Sequence, residues 1–431
     1  MVVAWLAYTR VTEGGEVRRR NANLLAGVAC LLSSTAAAQA DQALERTFSA
    51  PARSVKLTVS NDVFYDTNIA RGSDAAAQLR GLQNEDVRVT PTASLDMTLP
   101  RGRALLAVRG SIGYDAYARN DRLNRERLSF GAGAKLPLAF CAVAPDVAFA
   151  RRQIDLIDLS IVPGVADASA ENVQMLKEVS AAVVCGPEIG IRPGAHVRYT
   201  TTRNSAPLRR GQDVEELRYG SELNYAHPLV GILAIFVQRR DFTYDNRQRL
   251  VVSLPPTFSV TNAGLRVDRR LGARLQLVGS LSYADLMSPL NVPGARNFDG
   301  LNWNVSATLR VGGRTLLAAG SDRAITISPG FSSDSVRQTN HFGSLSYALT
   351  PLVRVGVAVS RAERDFRLVA APVGLAITRD RLDAATVRID YAKRQVNVSL
   401  RGAYQRRDSH NDLFDFKGAQ ATLSVSYMFK R

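Results

Sequence analysis

The chain has 431 residues, a formal net charge of +16 and 46% hydrophobic residues. Three cysteines are too few for a disulfide scaffold, and no C-x-x-C spacing points to zinc. A basic balance raises the question of nucleic acid, but the cations are spread one per segment behind an export leader, which argues against that partner.

Residues 1–40 read as a signal peptide. Arg18, Arg19 and Arg20 form a basic region, Leu24 to Leu32 an apolar core, and Ala38-Gln39-Ala40 an A-x-A site, so cleavage is expected between Ala40 and Asp41. The stretch before Arg18 is long and contains Glu13 and Glu16, which suggests a start downstream of Met1. Cys30 falls within the discarded core, and Gly27 stands where a lipobox wants a Leu-like residue, so lipidation is not expected. Residues 41–54 read as a periplasmic linker. Beyond residue 40 no apolar run reaches the ~18 residues that a spanning helix needs. An exported chain of this kind can sit in a membrane only as a closed barrel, the other architecture that satisfies every backbone polar group there.

From residue 55 the pattern is that of strands. Val55 to Phe64 runs out and Asp86 to Leu99 returns. In the second, Val87, Val89, Ala93, Leu95, Met97 and Leu99 share one parity; Arg88, Thr90, Thr92, Ser94, Asp96 and Thr98 share the other. Alternate side chains of a strand face opposite sides, so this is one apolar and one polar face. Pro100 to Arg103 makes a tight turn; Leu105 to Tyr117 goes out and Leu123 to Leu138 returns. Alternation is weak over 146–159 and 173–185. Further tight turns stand at His227-Pro228, Arg269 to Gly272, Gly312-Gly313, Thr350-Pro351 and Ala392 to Arg394, using residues whose dihedrals suit turns. Longer polar connections lie between them, at 66–84, 160–171, 203–212, 245–255, 285–299, 328–335, 366–380 and 405–412. The expected fold is all-β: a transmembrane antiparallel β-barrel of about 18 strands over residues 55–431, with short periplasmic turns and longer extracellular loops. Neither a plug-like segment nor a passenger domain is legible. The expected location is the outer membrane of a Gram-negative bacterium.

Tyrosines mark both ends of the strands. Tyr114, Tyr244, Tyr283 and Tyr404 are read on the apolar parity before long loops, and Tyr225, Tyr347, Tyr391 and Tyr427 before short turns or the C-terminus. They are expected to form two aromatic girdles. On the polar parity stand Arg88, Arg109, Arg125, Arg127, Lys135, Arg198, Arg218, Arg239, Arg266, Arg310, Arg354, Arg388 and Arg401, against fewer acids: Asp62, Asp86, Asp96, Asp115, Glu222, Asp241, Asp268 and Asp390. A charge on the lipid face at midplane costs roughly 2–4 kcal/mol, so these side chains are assigned to the lumen. Two readings stay open. The cation excess favours anionic solutes or an acidic glycan, or the arginines pair with the acids and brace the wall. The connection 285–299, with Asp285, Pro289, Pro293 and Gly294, is a candidate constriction.

Enzyme chemistry is not expected. Of the histidines His196, His227, His341 and His410, only His196 faces the lumen as a candidate base, and no partner can be assigned to it. Asp408-Ser409-His410 are adjacent residues, which alone cannot adopt triad geometry. No metal-spaced cluster, phosphate loop or cofactor motif is present. Cys141 and Cys185 fall at periplasmic ends of strands; a bridge between them and two free thiols both remain open.

Ala421, Leu423, Val425, Tyr427 and Phe429 give the last strand the apolar parity that barrel-assembly machinery recognises, followed by Lys430 and Arg431 and with Ser424 where glycine is common. The first strand ends Tyr65-Asp66-Thr67-Asn68-Ile69-Ala70-Arg71. This resembles the opening YD(D/S/T)N(I/V)xR motif of the outer-membrane β-barrel porin family known as beta-barrel porin 2. The resemblance implies a part in exopolysaccharide or capsule export, with anionic polysaccharide and export-complex proteins as partners beside outer-membrane lipid and lipopolysaccharide. The alternatives are a general anion-leaning porin for nutrient uptake and a non-conducting structural barrel.

Overall fold

The computed structural model describes residues 53–153, 171–246, 256–287, 299–328, 333–368 and 378–430. The signal peptide, its cleavage site at Ala40 and Asp41, and nearly all of the linker lie outside them.

Eighteen antiparallel strands follow one another around a single sheet, and β1 (Ser54–Asp66) pairs with β18 (Phe416–Lys430) to close it. Closure leaves no sheet edge, which is what a strand protein in hydrocarbon requires. The ring runs through β2 (Asp86–Arg101), β3 (Ala104–Tyr117), β4 (Arg125–Leu138), β5 (Cys141–Gln153), β6 (Val173–Cys185), β7 (Gly190–Asn204), β8 (Val214–His227) and β9 (Gly231–Thr243). It continues through β10 (Thr257–Leu271), β11 (Leu275–Met287), β12 (Gly300–Val311), β13 (Thr315–Ile327), β14 (Ser333–Ala348), β15 (Val353–Leu368), β16 (Arg379–Lys393) and β17 (Val396–Ser409). The weakly alternating 146–159 stretch is β5, which starts at Cys141 and ends as a described strand at Gln153.

The period-2 pattern sets which way each strand faces. Leu57↔Leu95, Val59↔Ala93 and Val63↔Val89 are directly opposed across β1 and β2, so they share a face. That face is the outside: Leu57, Val59, Val63 and Val89 are among the exposed large hydrophobics, as are Ile112, Ile235, Leu265, Val305, Val359 and Leu400 around the ring. A continuous exposed apolar band of this kind is stable only in lipid.

The two ends of the barrel differ. Consecutive strands β2–β3, β4–β5 and β16–β17 are joined by two residues each, at 102–103, 139–140 and 394–395. These turns need left-handed backbone, supplied at Gly102, Ala139 and Arg394. Gly231, at φ +88°, is required for a second reason: a Cβ there would stand 2.2 Å from the Asp268 carbonyl on the neighbouring strand. At the other end the connections are longer and carry their own structure. Residues 67–85 hold the short helix α1 (Asp74–Leu79), capped at Ser73, whose side chain accepts from the Ala76 amide.

Candidate functional site

The outward surface carries the aromatic residues. Seven of the eight girdle tyrosines stand on it: Tyr114, Tyr283 and Tyr404 toward the long-loop end, and Tyr225, Tyr347, Tyr391 and Tyr427 toward the turns. Tyr244 does not. It follows β9 at 3% exposure, packed with Phe242 and Phe258 on the inner side. On β9 the outward positions are Leu233, Ile235 and Val237, so the even-numbered Tyr244 continues the inner face. Tyr65 and Tyr199 occupy equivalent outward positions, and Trp303 on β12 lies opposite outward Leu281; all three have the girdle signal of position and parity. Apolar band, aromatic ends and asymmetric connections together place the protein in the outer membrane of a Gram-negative cell.

The chain is an outer-membrane β-barrel. No family model matches it, and no curated protein matches it. Among solved structures it is similar to Acinetobacter baumannii OccAB3, at 11% identity and TM-score 0.47 over 88% of this chain and 100% of that one. It is similar to Pseudomonas aeruginosa OpdQ, at 12% identity and TM-score 0.47 over 88% and 99% of the two chains. The siderophore receptor PirA from Pseudomonas aeruginosa is similar at 13% identity and TM-score 0.43, over 86% of this chain and 80% of that one.

Inside, arginines gather on particular walls. Registered pairing places Arg198, Arg218 and Arg240 side by side on β7, β8 and β9. Glu216 lies one inward position along β8, and its Oε1 accepts from Arg218 Nη2 at 2.7 Å and from Arg240 Nε at 2.9 Å. Arg198 faces Glu178 at 3.5 Å. Further down the same wall, Arg266 donates to Glu222 at 2.9 Å and to Asn224 at 3.2 Å. His196 lies between these levels, over Gly220, with Gln238 as its hydrogen-bond neighbour. The structure brings no nucleophile to it among the described residues. On the wall opposite, Arg388 and Arg401 are directly registered; Arg388 donates to Asp390 at 2.6 Å and to Ser399 at 3.1 Å. Arg354 on β15 is registered with Asp390, so it joins that group. A third wall carries Arg88 and Arg127, each 3.6 Å from Asp115, with Arg125 opposite Asp115, Lys135 opposite Leu105, and Arg109 reaching Asp146 at 3.4 Å. Arg310 points inward on β12, registered with Leu316. Asp62, Asp86, Asp96 and Asp268 share the inner face.

Two expected lumen charges lie elsewhere. Arg239 and Asp241 face outward, on the parity of Ile235 and Val237, and pair with each other at 2.8 Å. Past Val237 the outer face of β9 has left the hydrocarbon layer, so charge is tolerated there; the lumen position belongs to Arg240. Polarity ceases to report facing where both media are aqueous.

The extracellular mouth is narrowed from two sides. On one, Arg80 at the end of α1 is 1% exposed, and Ala70, Ala77 and Leu82 pack with Leu123 against inward-facing Tyr117. Burial, then the neighbouring Arg407 charge, lowers the Arg80 pKa to about 10. Asp86 ties this layer down, accepting from the Ala118, Arg119 and Asn120 amides at 3.1, 3.0 and 2.8 Å. On the other side, Phe242, Phe258, Val260 and Leu286 form an apolar cluster on the inner face of β9–β11. Ile325 from β13 joins it, and its carbonyl accepts from Arg240 at 3.2 Å, so the end of β13 leans over that wall. Of the connection 285–299, residues 288–298, including Pro289, Pro293 and Gly294, lie outside the described residues; Asp285 is on β11, registered with outward Thr261.

The Asp66-to-Arg71 motif is a clasp where β1 enters its loop. Asp66, wholly buried, accepts from Arg71 Nη2 at 2.5 Å and from the Asn68 amide at 2.9 Å, while Arg71 takes a left-handed φ of 54°. Cys141 and Cys185 are registered partners across β5 and β6, and their sulfurs are bonded at 2.04 Å. Of the Asp408-Ser409-His410 triplet, Asp408 is engaged by Arg381 at 3.6 Å and Arg406 at 3.7 Å on the outer face. His341 also faces outward, registered with Arg361 on β15, and His227 ends β8, its Nδ1 accepting from the Leu229 amide at 3.3 Å.

Proposed function

We propose that the barrel is a channel for anionic solutes, with the arginine rows of its inner wall setting the preference. One observation carries this reading: Arg198, Arg218 and Arg240 stand on three consecutive strands with the carboxylate of Glu216 shared between two of them. Cations held so close by the sheet give a positive potential that the low-dielectric wall focuses into the lumen. Barrels of about this strand number are wide enough for water unless loops fill them. The resemblance of the Asp66-to-Arg71 motif supports a finer reading, in which the solute is an acidic exopolysaccharide strand on its way out. A second reading, a closed structural barrel, is favoured by the number of lumen arginines already paired, such as Arg266 with Glu222 and Arg388 with Asp390.

Planar-bilayer conductance of the refolded barrel under a salt gradient separates them. The channel reading expects stable steps with anions more permeant than cations. It expects Arg354→Gln with Arg401→Gln to reduce that preference while the conductance steps persist. Added uronic-acid oligomers should block the current at lower concentration than neutral oligomers of equal length. Silence from a correctly folded barrel would leave the structural reading standing.

A further inference from the structure

Between the arginine walls the lumen has an uncharged one. On the inner face of β12–β15, Ser306, Gly320, Phe342 and Ser360 are registered side by side. The next inward row toward the periplasm is Thr308, Ala318, Ser344 and Ala358, again without a charge. In the row above, Asp322 is 4% exposed and accepts from Asn340 Nδ2 at 2.9 Å, so its carboxylate is covered. On β15 the nearest inward arginine, Arg364, lies two inward positions from Ser360 and is bound to Asp380.

Phe342 is the one large apolar group on this wall, and it is half-buried. Its ring leans across the sheet onto Gly320, where a Cβ would stand 2.6 and 2.7 Å from Phe342 Cε1 and Cζ. The missing side chain at Gly320 thus lets the ring lie along the wall with a face toward the lumen. Other inward rings are covered. Phe64 and Tyr117 lie under Arg88 at 4.7 and 5.8 Å, Phe366 under Arg364 at 5.5 Å, and Phe242 stacks on Phe258. Among the described residues no cation or second ring covers Phe342. Ser306, Ser344 and Ser360 surround it, half-buried, and each hydroxyl both donates and accepts.

A bare aromatic face ringed by neutral hydroxyls suits one solute chemistry: a ring with an apolar C–H face and hydroxyls at its edge. The C–H groups meet the negative face of the aromatic ring, and the edge hydroxyls exchange hydrogen bonds with the serines. We propose that Phe342, Ser306, Ser344 and Ser360 form a pyranose-binding subsite that recognises neutral sugar units by shape and hydroxyl pattern, not by charge. It rests on the lumen being open to solutes, as proposed above, and not on which ion the lumen prefers.

The test is a calorimetric titration of the refolded barrel, in a detergent without a sugar headgroup, with maltohexaose and cellohexaose as probes and poly(ethylene glycol) of equal length as control. At least one hexasaccharide should bind, and the polyether should not. Phe342→Leu, which keeps an apolar side chain and removes the aromatic face, should weaken binding about tenfold, and Phe342→Trp should retain it. Ser306→Ala with Ser360→Ala should also cost about tenfold and serves should the Phe342 variants fail to fold. Arg354→Gln with Arg401→Gln should change sugar affinity less than about twofold. Hexasaccharide affinity unchanged by Phe342→Leu, equal binding of the polyether, or displacement of the sugar by benzoate would overturn the proposal. Conductance of the same preparation separates the two readings. A barrel that conducts and binds no hexasaccharide overturns the subsite alone, and one that neither conducts nor binds overturns both.

Discussion

Asp380 is the residue on which the extracellular end turns. It is 2% exposed and accepts from Arg364 at 2.8 and 2.7 Å and from Arg407 at 2.9 and 2.5 Å. Removing a shared partner from buried charges strands both cations, which typically costs about 3–5 kcal/mol. Asp380→Asn should therefore lower the denaturation midpoint of the refolded barrel and expose its long-loop end to proteolysis, and Asp380→Glu should recover part of the loss. A midpoint unchanged within error would show that water replaces the carboxylate. Parity identified most inward charges, such as Arg88, Arg218 and Arg388. It could not rank Asp380 above them, because its second arginine comes from the next strand.

Strand pairing controls the next scale. Cys141 and Cys185 close a loop of 44 residues between β5 and β6. Loop-closure entropy gives such a cross-link about 4 kcal/mol, through the unfolded chain. Because β5 and β6 are paired along their whole length, the barrel should still form without it. Cys141→Ser with Cys185→Ser should lower the denaturation midpoint by an amount matching that seen when the parent protein is reduced, and reductant should then have no further effect on the double variant. The inner cluster offers a second check. Phe242, 1% exposed and stacked on Phe258 at 4.5 Å, supports the end of β13 through Ile325. Phe242→Ala should cost about 3–5 kcal/mol and speed hydrogen exchange in β13 more than in β5.

Over the whole molecule, the arginine walls act as a summed field. The screening length shrinks from about 10 Å at 0.1 M salt to about 3 Å at 1 M. Anion preference measured by reversal potential should fall steeply across that range if it comes from the field of the lumen. A preference independent of salt would point to a narrow site with direct contacts, such as the mouth between α1 and the β13 end.

The strand count, the closed antiparallel class and the asymmetry of the two ends were legible in the sequence. Each rests on local facts: period-2 alternation, turn residues, and the lengths between them. Facing was legible wherever one medium was lipid and the other water, as at Leu57, Val59 and Val63. It failed at Arg239, Asp241 and Tyr244, where β9 rises beyond the hydrocarbon and both sides of the wall are polar or covered. Tertiary structure alone decided what packs over the lumen: Ile325 against the Phe242 cluster, and α1 against Tyr117. The first contact joins strands four apart and the second folds a loop back over the lumen, and no local pattern in the chain records either approach.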